Sequence, residues 1–261
     1  MELTAIPRAV GAFVLSAAEP PRAWAVLLSR SARALVRRPP PRDRLLSQMF
    51  DIGNRSVVFV AITLGFLGAI SVFQGVMQAS RVLPDYSMVG ATLINVMTRE
   101  FGPTITALMI ATRVGTGIAA EIGSMVVTDQ VEAMKVSNTD PVEYLVAPRV
   151  LACLVMTFVL TVFAVLVAVA AGALVGYLRF QIGFATFFSM RLVDWADLWE
   201  GLVKCAAYGV AIPVIAAESG FRASGGSEGV GWATTRSVVN ASFAVIFMDF
   251  IIASVIYLVT G

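Results

Sequence analysis

Two stretches of this chain run without a charge for long enough, as helices, to cross a bilayer. Val57–Ala79 has polar groups only at Thr63, Ser71, Gln74 and Gln78, and Val150–Leu178 is longer still. A helix needs about 20 mostly apolar residues to cross roughly 30 Å of hydrocarbon. Inside that layer only helices and closed barrels satisfy every backbone N–H and C=O. Both stretches therefore predict membrane-spanning helices, the longer one tilted or projecting. Leu198–Ala217 and Ser237–Thr260 also reach spanning length, the first carrying Glu200 and Lys204 and the second Asp249. Tyr86–Thr112 is interrupted by Arg99-Glu100 and Gly102-Pro103, leaving two halves, Tyr86–Thr98 and Phe101–Thr112, each too short to span singly. Read together they make one crossing with a charged, kinked middle. The expectation is an all-α integral membrane protein with five spans, at about 57–79, 86–112, 150–178, 198–217 and 237–260.

Composition narrows the chemistry. Hydrophobic residues make up 58% and charged ones 14%, against about 25% charged in a soluble domain. The chain has no histidine, so Ser-His hydrolysis, His-ligated metals and imidazole proton shuttles are excluded. Cys153 and Cys205 both sit in apolar runs, which leaves no disulfide framework or four-cysteine metal site. No catalytic or metal-binding residue is assigned. A net charge of +2 is too small for a nucleic-acid footprint. Basic residues set the orientation. With the N-terminus inside, 14 of the 19 basic residues fall in inner segments and three, Arg81, Arg179 and Arg191, fall outside, leaving Arg99 and Lys204 within spans. The N-terminus is expected in the cytoplasm and the C-terminus outside.

Residues 1–56 read as a separate N-terminal unit ahead of the 57–261 spanning domain. Val10–Ala18 is too short to span and Pro20-Pro21 punctuates the segment. Ala23–Arg38 mixes Trp24, Leu27, Leu28 and Leu35 with Arg30, Arg33, Arg37 and Arg38, the pattern of an interfacial helix with arginines towards headgroups. A cleaved signal peptide competes, but Glu19-Pro20-Pro21 makes a poor cleavage site. Pro39-Pro40-Pro41 forms a stiff break before the first span.

The connection 113–149 is the longest inner one. Glu121–Val136 reads as a short amphipathic helix or a pair of helical turns, with Ile122, Met125, Val126 and Met134 apolar and Glu121, Asp129 and Glu132 charged. Ser137-Asn138-Thr139 makes a turn, and Asp140 before Pro141, with Glu143 three residues on, caps the next helix. Such an element either packs on its own membrane domain or docks into a partner and transmits its movement. No stretch matches the G-x-x-x-x-G-K-[ST] phosphate loop, and the glycine-rich Ser219–Gly231 reads as a flexible turn.

Arg99, Glu100, Lys204 and Asp249 lie within apolar runs, with Asp197 and Glu200 near one end of a span. Each lipid-facing charge costs about 2.5–3.5 kcal/mol on insertion scales, so the charges are expected to pair inside the bundle. They then either clamp helices or line a polar cavity for an amphiphile's headgroup. Gln74 and Gln78 could add hydrogen bonds. Gly172-x-x-x-Gly176 permits close helix approach, and Phe184, Phe187, Phe188, Trp195 and Trp199 read as an interfacial aromatic belt. A proton-coupled transporter using Glu100 and Asp249 as a relay, a structural anchor and an intramembrane enzyme are the alternatives.

Several of these residues fall in longer blocks. They are R-E-F-G-P at Arg99–Pro103, A-x-R-x-G-x-x-x-x-A-E-I-G-S-M from Ala111 to Met125, and T-D-Q-V-E-A-M at Thr128–Met134. D-P at Asp140-Pro141, P-R at Pro148-Arg149 and A-T-T-R-S-V-V from Ala233 continue the pattern. Over about residues 45–261 this text resembles the MlaE family of ABC-transporter permeases, which includes the YrbE proteins of Mce systems. The resemblance implies a homodimeric permease with an N-terminal membrane-embedded helix and five spans in a bacterial inner membrane. It implies a cytoplasmic ABC ATPase that binds ATP and Mg, no cofactor in this chain, an outward MCE-domain protein and sometimes a small STAS-domain subunit. The cargo implied is phospholipid or a related lipid. The segment holding Glu121, Ile122, Gly123, Met125, Asp129, Glu132 and Met134 matches the family's coupling helix. Substituting Glu121 or Met125 is accordingly expected to weaken ATPase docking. Arg99, Glu100, Asp197, Lys204 and Asp249 match its transmembrane charge network, and Gln74 matches a glutamine near the dimer cavity. The proline-rich N-terminus departs from the family pattern.

Overall fold

The computed structural model describes residues 5–82, 86–189 and 192–260. Arg191, counted above among the outer basic residues, lies outside them, as do the side chains of Arg8 and of the Val10–Ala18 run. Among the described residues the chain is helical with no strand, and five helices are long and apolar enough to cross a membrane.

Helix α1 covers Ala5–Arg37 and runs through Pro20-Pro21, where a break was expected. Proline removes one ladder hydrogen bond, but the φ its ring fixes is a helical one. The chain breaks instead just before and at the Pro39-Pro40-Pro41 run, and α2 follows as Arg42–Val82. The first spanning helix thus starts well before Val57, and the expected boundary at residue 56 falls inside it. Charge stops near Arg55, but Leu45, Met49 and Ile52 keep an apolar face packed on the core.

The second span is one helix over Met88–Val127. It is built from α3 (Ser87–Val96), α4 (Gly102–Ile110) and α5 (Thr116–Val127), joined by π turns at Met97–Phe101 and Ala111–Gly115. The predicted kink is therefore a widened turn around Arg99-Glu100, and the helix continues past Thr112 as far as Val127. It does so because Ile118 and Ile122 bury themselves against the C-terminal half of a later helix.

Asp129 adopts left-handed backbone, φ 58°, and separates α5 from the short α6, Gln130–Val136. The expected single element Glu121–Val136 is thus the end of a spanning helix plus a seven-residue helix set off from it by that turn. The Asn138 turn follows (φ 56°). The Asp140 cap forms as predicted, its Oδ1 accepting the Val142 N–H at 2.9 Å.

A π turn at Val142–Val146 leads into α7, Ala147–Phe180. Left-handed Gln181 ends α7, with the Ile182 N–H donating to the Gly176 carbonyl at 3.1 Å. The short α8 (Phe184–Phe187), α9 (Trp195–Phe221) and α10 (Ser227–Thr260) complete the chain. The glycine-rich turn is confined to residues 222–226.

The pairing of α2 with α7 relies on small residues. A Cβ on Gly68 would overlap the Ala168 carbonyl oxygen, so the two backbones touch there. Gly172 packs against Leu93 and Val72, and Gly176 against the Phe187 ring. The Gly172/Gly176 face is an internal packing face.

Arg30 meets Asp140 at 3.1 Å and Arg38 meets Glu143 at 3.8 Å, so α1 and the 113–149 connection lie on one side of the bundle. Gly123 lies against Ala223 and Val230, which puts the 222–226 turn there too. Gly90 meets Phe187 on the opposite side. Five crossings require this grouping of the connections. On α1, Trp24, Leu27, Ser31 and Ala34 turn towards the protein while Val26 and Val36 remain exposed.

Candidate functional site: a buried charge network beside an apolar cavity

Helix α9 carries Asp197, Glu200, Lys204 and Tyr208 at spacings of three, four and four residues, which puts all four on one face. That face meets the π turn holding Arg99 and Glu100. The approach is close because Gly201 leaves room: a Cβ there would lie 2.5 Å from the Thr98 carbonyl oxygen. Measured along α9, Lys204 sits about 14 Å from the start at Trp195, at about 1.5 Å per residue.

Lys204 is fully buried and its ammonium contacts three carboxylates, Glu100 at 2.5 Å, Glu200 at 3.0 Å and Asp249 at 3.0 Å. Arg99 meets Glu200 at 2.8 Å, Asp197 at 3.4 Å and Glu100 at 3.8 Å. Glu200, 1% exposed, therefore bridges the two cations.

Four carboxylates face two cations, and neutral donors complete the set. Tyr208 and Thr104 hydroxyls donate to Asp249 at 2.8 and 3.0 Å. The Asn95 amide donates to Asp197 at 2.6 Å. Asp197 also closes a capping box with Asp194 at the start of α9. The network ties the second, fourth and fifth spans together.

The predicted members Arg99, Glu100, Asp197, Lys204 and Asp249 all converge here. Gln74 does not. It sits on α2 in a separate cavity of about 570 Å³ between α2 and the α3 end of the second span. Ile70, Val89, Leu93, Val96 and Phe101 give this cavity apolar walls, and Ser71, Gln74, Gln78 and Thr92 are its polar groups. None of the network charges lines it.

Sequence reading placed Glu200 only near a span end and passed over Tyr208, Thr104 and Asn95. The Glu200/Lys204 pair at i,i+4 on an otherwise apolar helix was the available signal.

On the N-terminal side, the expected partner-facing residues divide. Ile122 is fully buried and Gly123 is packed on Ala223, so neither presents a surface. Glu121 pairs with Arg149 at 2.6 Å, and Met125 and Met134 are half-buried against the core. Asp129 and Glu132 are exposed, Glu132 pairing with Lys135 at 2.8 Å. Val136, 88% exposed, is the open apolar group of α6 and was not singled out from sequence.

The profile of the permease MlaE family matches residues 45–255. A probable ABC transporter permease protein of Rickettsia conorii is 31% identical over 254 residues, 97% of this chain and 98% of its own. One from Synechocystis is 35% identical over 226 residues, 84% of each chain. The intermembrane phospholipid transport system permease protein MlaE of Haemophilus influenzae is 32% identical over 233 residues, covering 86% of this chain and 88% of its own.

Proposed function

The chain belongs to the MlaE permease family, and from that premise we propose that it is the membrane subunit of an ATP-driven phospholipid transporter of a bacterial inner membrane. A separate cytoplasmic ABC ATPase supplies ATP and Mg binding, two copies of the chain face each other, and an outward MCE-domain protein exchanges lipid with them. The N-terminus and α6 lie in the cytoplasm, following the distribution of basic residues.

One observation carries the mechanism. A single helix, Met88–Val127, lines the cavity at one end through Thr92, Val96 and Met97, holds Arg99 and Glu100 in the network, and ends beside exposed α6. At about 1.5 Å per residue it is about 60 Å long. ATP-driven closure of the ATPase pushes α6, and the push travels along this rod to the cavity wall. The charges act as the clamp rather than as a headgroup pocket, since they bind each other and leave the cavity without a charged group. They make three spans move as one body, so the cavity narrows instead of one helix sliding. Gln74 and Gln78 supply hydrogen bonds to a lipid's polar end inside that cavity.

The docking surface is α6, so a Glu132→Lys, Val136→Asp double variant should insert and fold normally while its ATPase is lost on co-purification. Undiminished co-purification would overturn the lever. Lipid movement that persists in vesicles holding this subunit alone, following a proton gradient, would instead support the Glu100/Asp249 relay. Sidedness is checked by Asn138→Cys, which should react with an impermeant thiol reagent only from the cytoplasmic face; Cys153 and Cys205 are buried.

A further inference from the structure

Three helices end an uncharged run with an arginine on the N-terminal side. Arg55 lies just before Val57, Arg113 directly follows Thr112, and Arg149 directly precedes Val150. The structure brings all three to one cleft of about 290 Å³ between the start of α2, the α5 region and the start of α7. Asp51 and Glu121 are the carboxylates in its walls, so cations outnumber anions.

The donors there are under-used. Arg149 is 4% exposed, gives one nitrogen to Glu121 at 2.6 Å, and has its buried Nη1 without an acceptor. Ser56, which also lines the cleft, is 1% exposed with an unpartnered hydroxyl. Arg113 makes no ion pair among the described residues, and Arg55 reaches only Asp51, at 3.7 Å. A buried guanidinium nitrogen and a buried hydroxyl without acceptors are costly, and a bound anion or ordered water that accepts from them removes that cost.

We propose that this cleft binds the phosphate group of an anionic phospholipid. A phosphate accepts several N–H donors at once and matches the arginine fork. Its level in the membrane is set by the sequence itself: each arginine stands where its helix leaves the hydrocarbon, which is where lipid phosphates lie. Ile52, Val114 and Ile118 add apolar wall for the start of the acyl chains. Basic pockets between spans on the cytoplasmic side bind anionic headgroups by this logic. The site lies at the opposite end of the bundle from the Gln74 cavity. Only the name of the leaflet, cytoplasmic, rests on the orientation proposed above.

The test uses the full chain in zwitterionic detergent, incubated with phosphatidylglycerol or phosphatidylcholine and read by native mass spectrometry. Phosphatidylglycerol should be retained preferentially. Arg113→Ala, at an exposed position without an ion pair, should keep the fold and lower retention about tenfold, the loss of one charge-assisted contact. Glu121→Gln should raise retention by removing a carboxylate that competes for Arg149. Equal retention of the two lipids, or no change in Arg113→Ala, overturns the site. Displacement of the lipid by millimolar inorganic phosphate keeps a phosphate site but overturns its lipid source. None of these readings depends on sidedness, which the Asn138→Cys labelling decides separately.

Discussion

The two ends of the bundle use the same residue types to opposite effect. Around Lys204, charges from three spans contact one another in a buried cluster. Around α1 and the 137–146 segment, arginines and carboxylates meet in water: Arg30 and Asp140 are 47% and 42% exposed, and Arg38 is 82% exposed. Exposed pairs are screened and contribute about 0–1 kcal/mol, whereas removing one partner from a buried pair costs about 3–5 kcal/mol. The lesson is that the same charges hold helices to one another where they are buried and contribute little where water reaches them.

The comparison breaks most readily at Lys204. Lys204→Met should leave Asp249 with no cation and Glu100 and Glu200 sharing Arg99 alone, with a loss of about 3–5 kcal/mol, read as a collapse of monodisperse protein on size-exclusion chromatography in detergent. Adding Glu200→Gln and Asp249→Asn to it should restore part of the stability; failure to rescue would mean that packing, not charge, matters there. Gly201→Val should come next, at about 1–3 kcal/mol by overpacking, because its side chain meets backbone at Thr98. Thermal unfolding in detergent checks it.

At the open end the effects shrink. Asp140→Ala removes the cap on Val142 and the partner of Arg30 and should cost about 1 kcal/mol, read by the same thermal unfolding. Arg38→Ala should change the unfolding temperature by less than measurement error, since an exposed pair at 3.8 Å contributes about 0–0.5 kcal/mol. If Arg38→Ala proved as damaging as Lys204→Met, the contrast between the two ends would be lost.

The spans were readable because the bilayer demands long uncharged helices, and that demand is written one residue at a time along the chain. Their ends were less readable. Hydropathy marks where a helix leaves the lipid, not where it stops, so α2 extends back to Arg42 and the second span on to Val127. The pairing of Arg99, Glu100, Lys204 and Asp249 followed from the cost of charge in hydrocarbon. The bridging position of Glu200 and the hydroxyls of Tyr208 and Thr104 did not, because polar groups on an apolar helix do not announce which neighbour they face. Ile122 and Gly123 were placed on a partner-facing helix by the family resemblance, and their burial against α9 and the 222–230 segment is set by tertiary packing.

The sequence by itself determined a five-span helical membrane protein, the grouping of its connections on two sides, and the need for its intramembrane charges to pair. Those properties depend on the energy of each segment in water or lipid, which composition sets. Only the tertiary structure decided that the charges form one clamp, that Gln74 lies apart in its own cavity, and that three arginines share a cleft. These are distances between helices far apart in the chain. They are fixed by which small residues, such as Gly68 and Gly201, let two backbones touch.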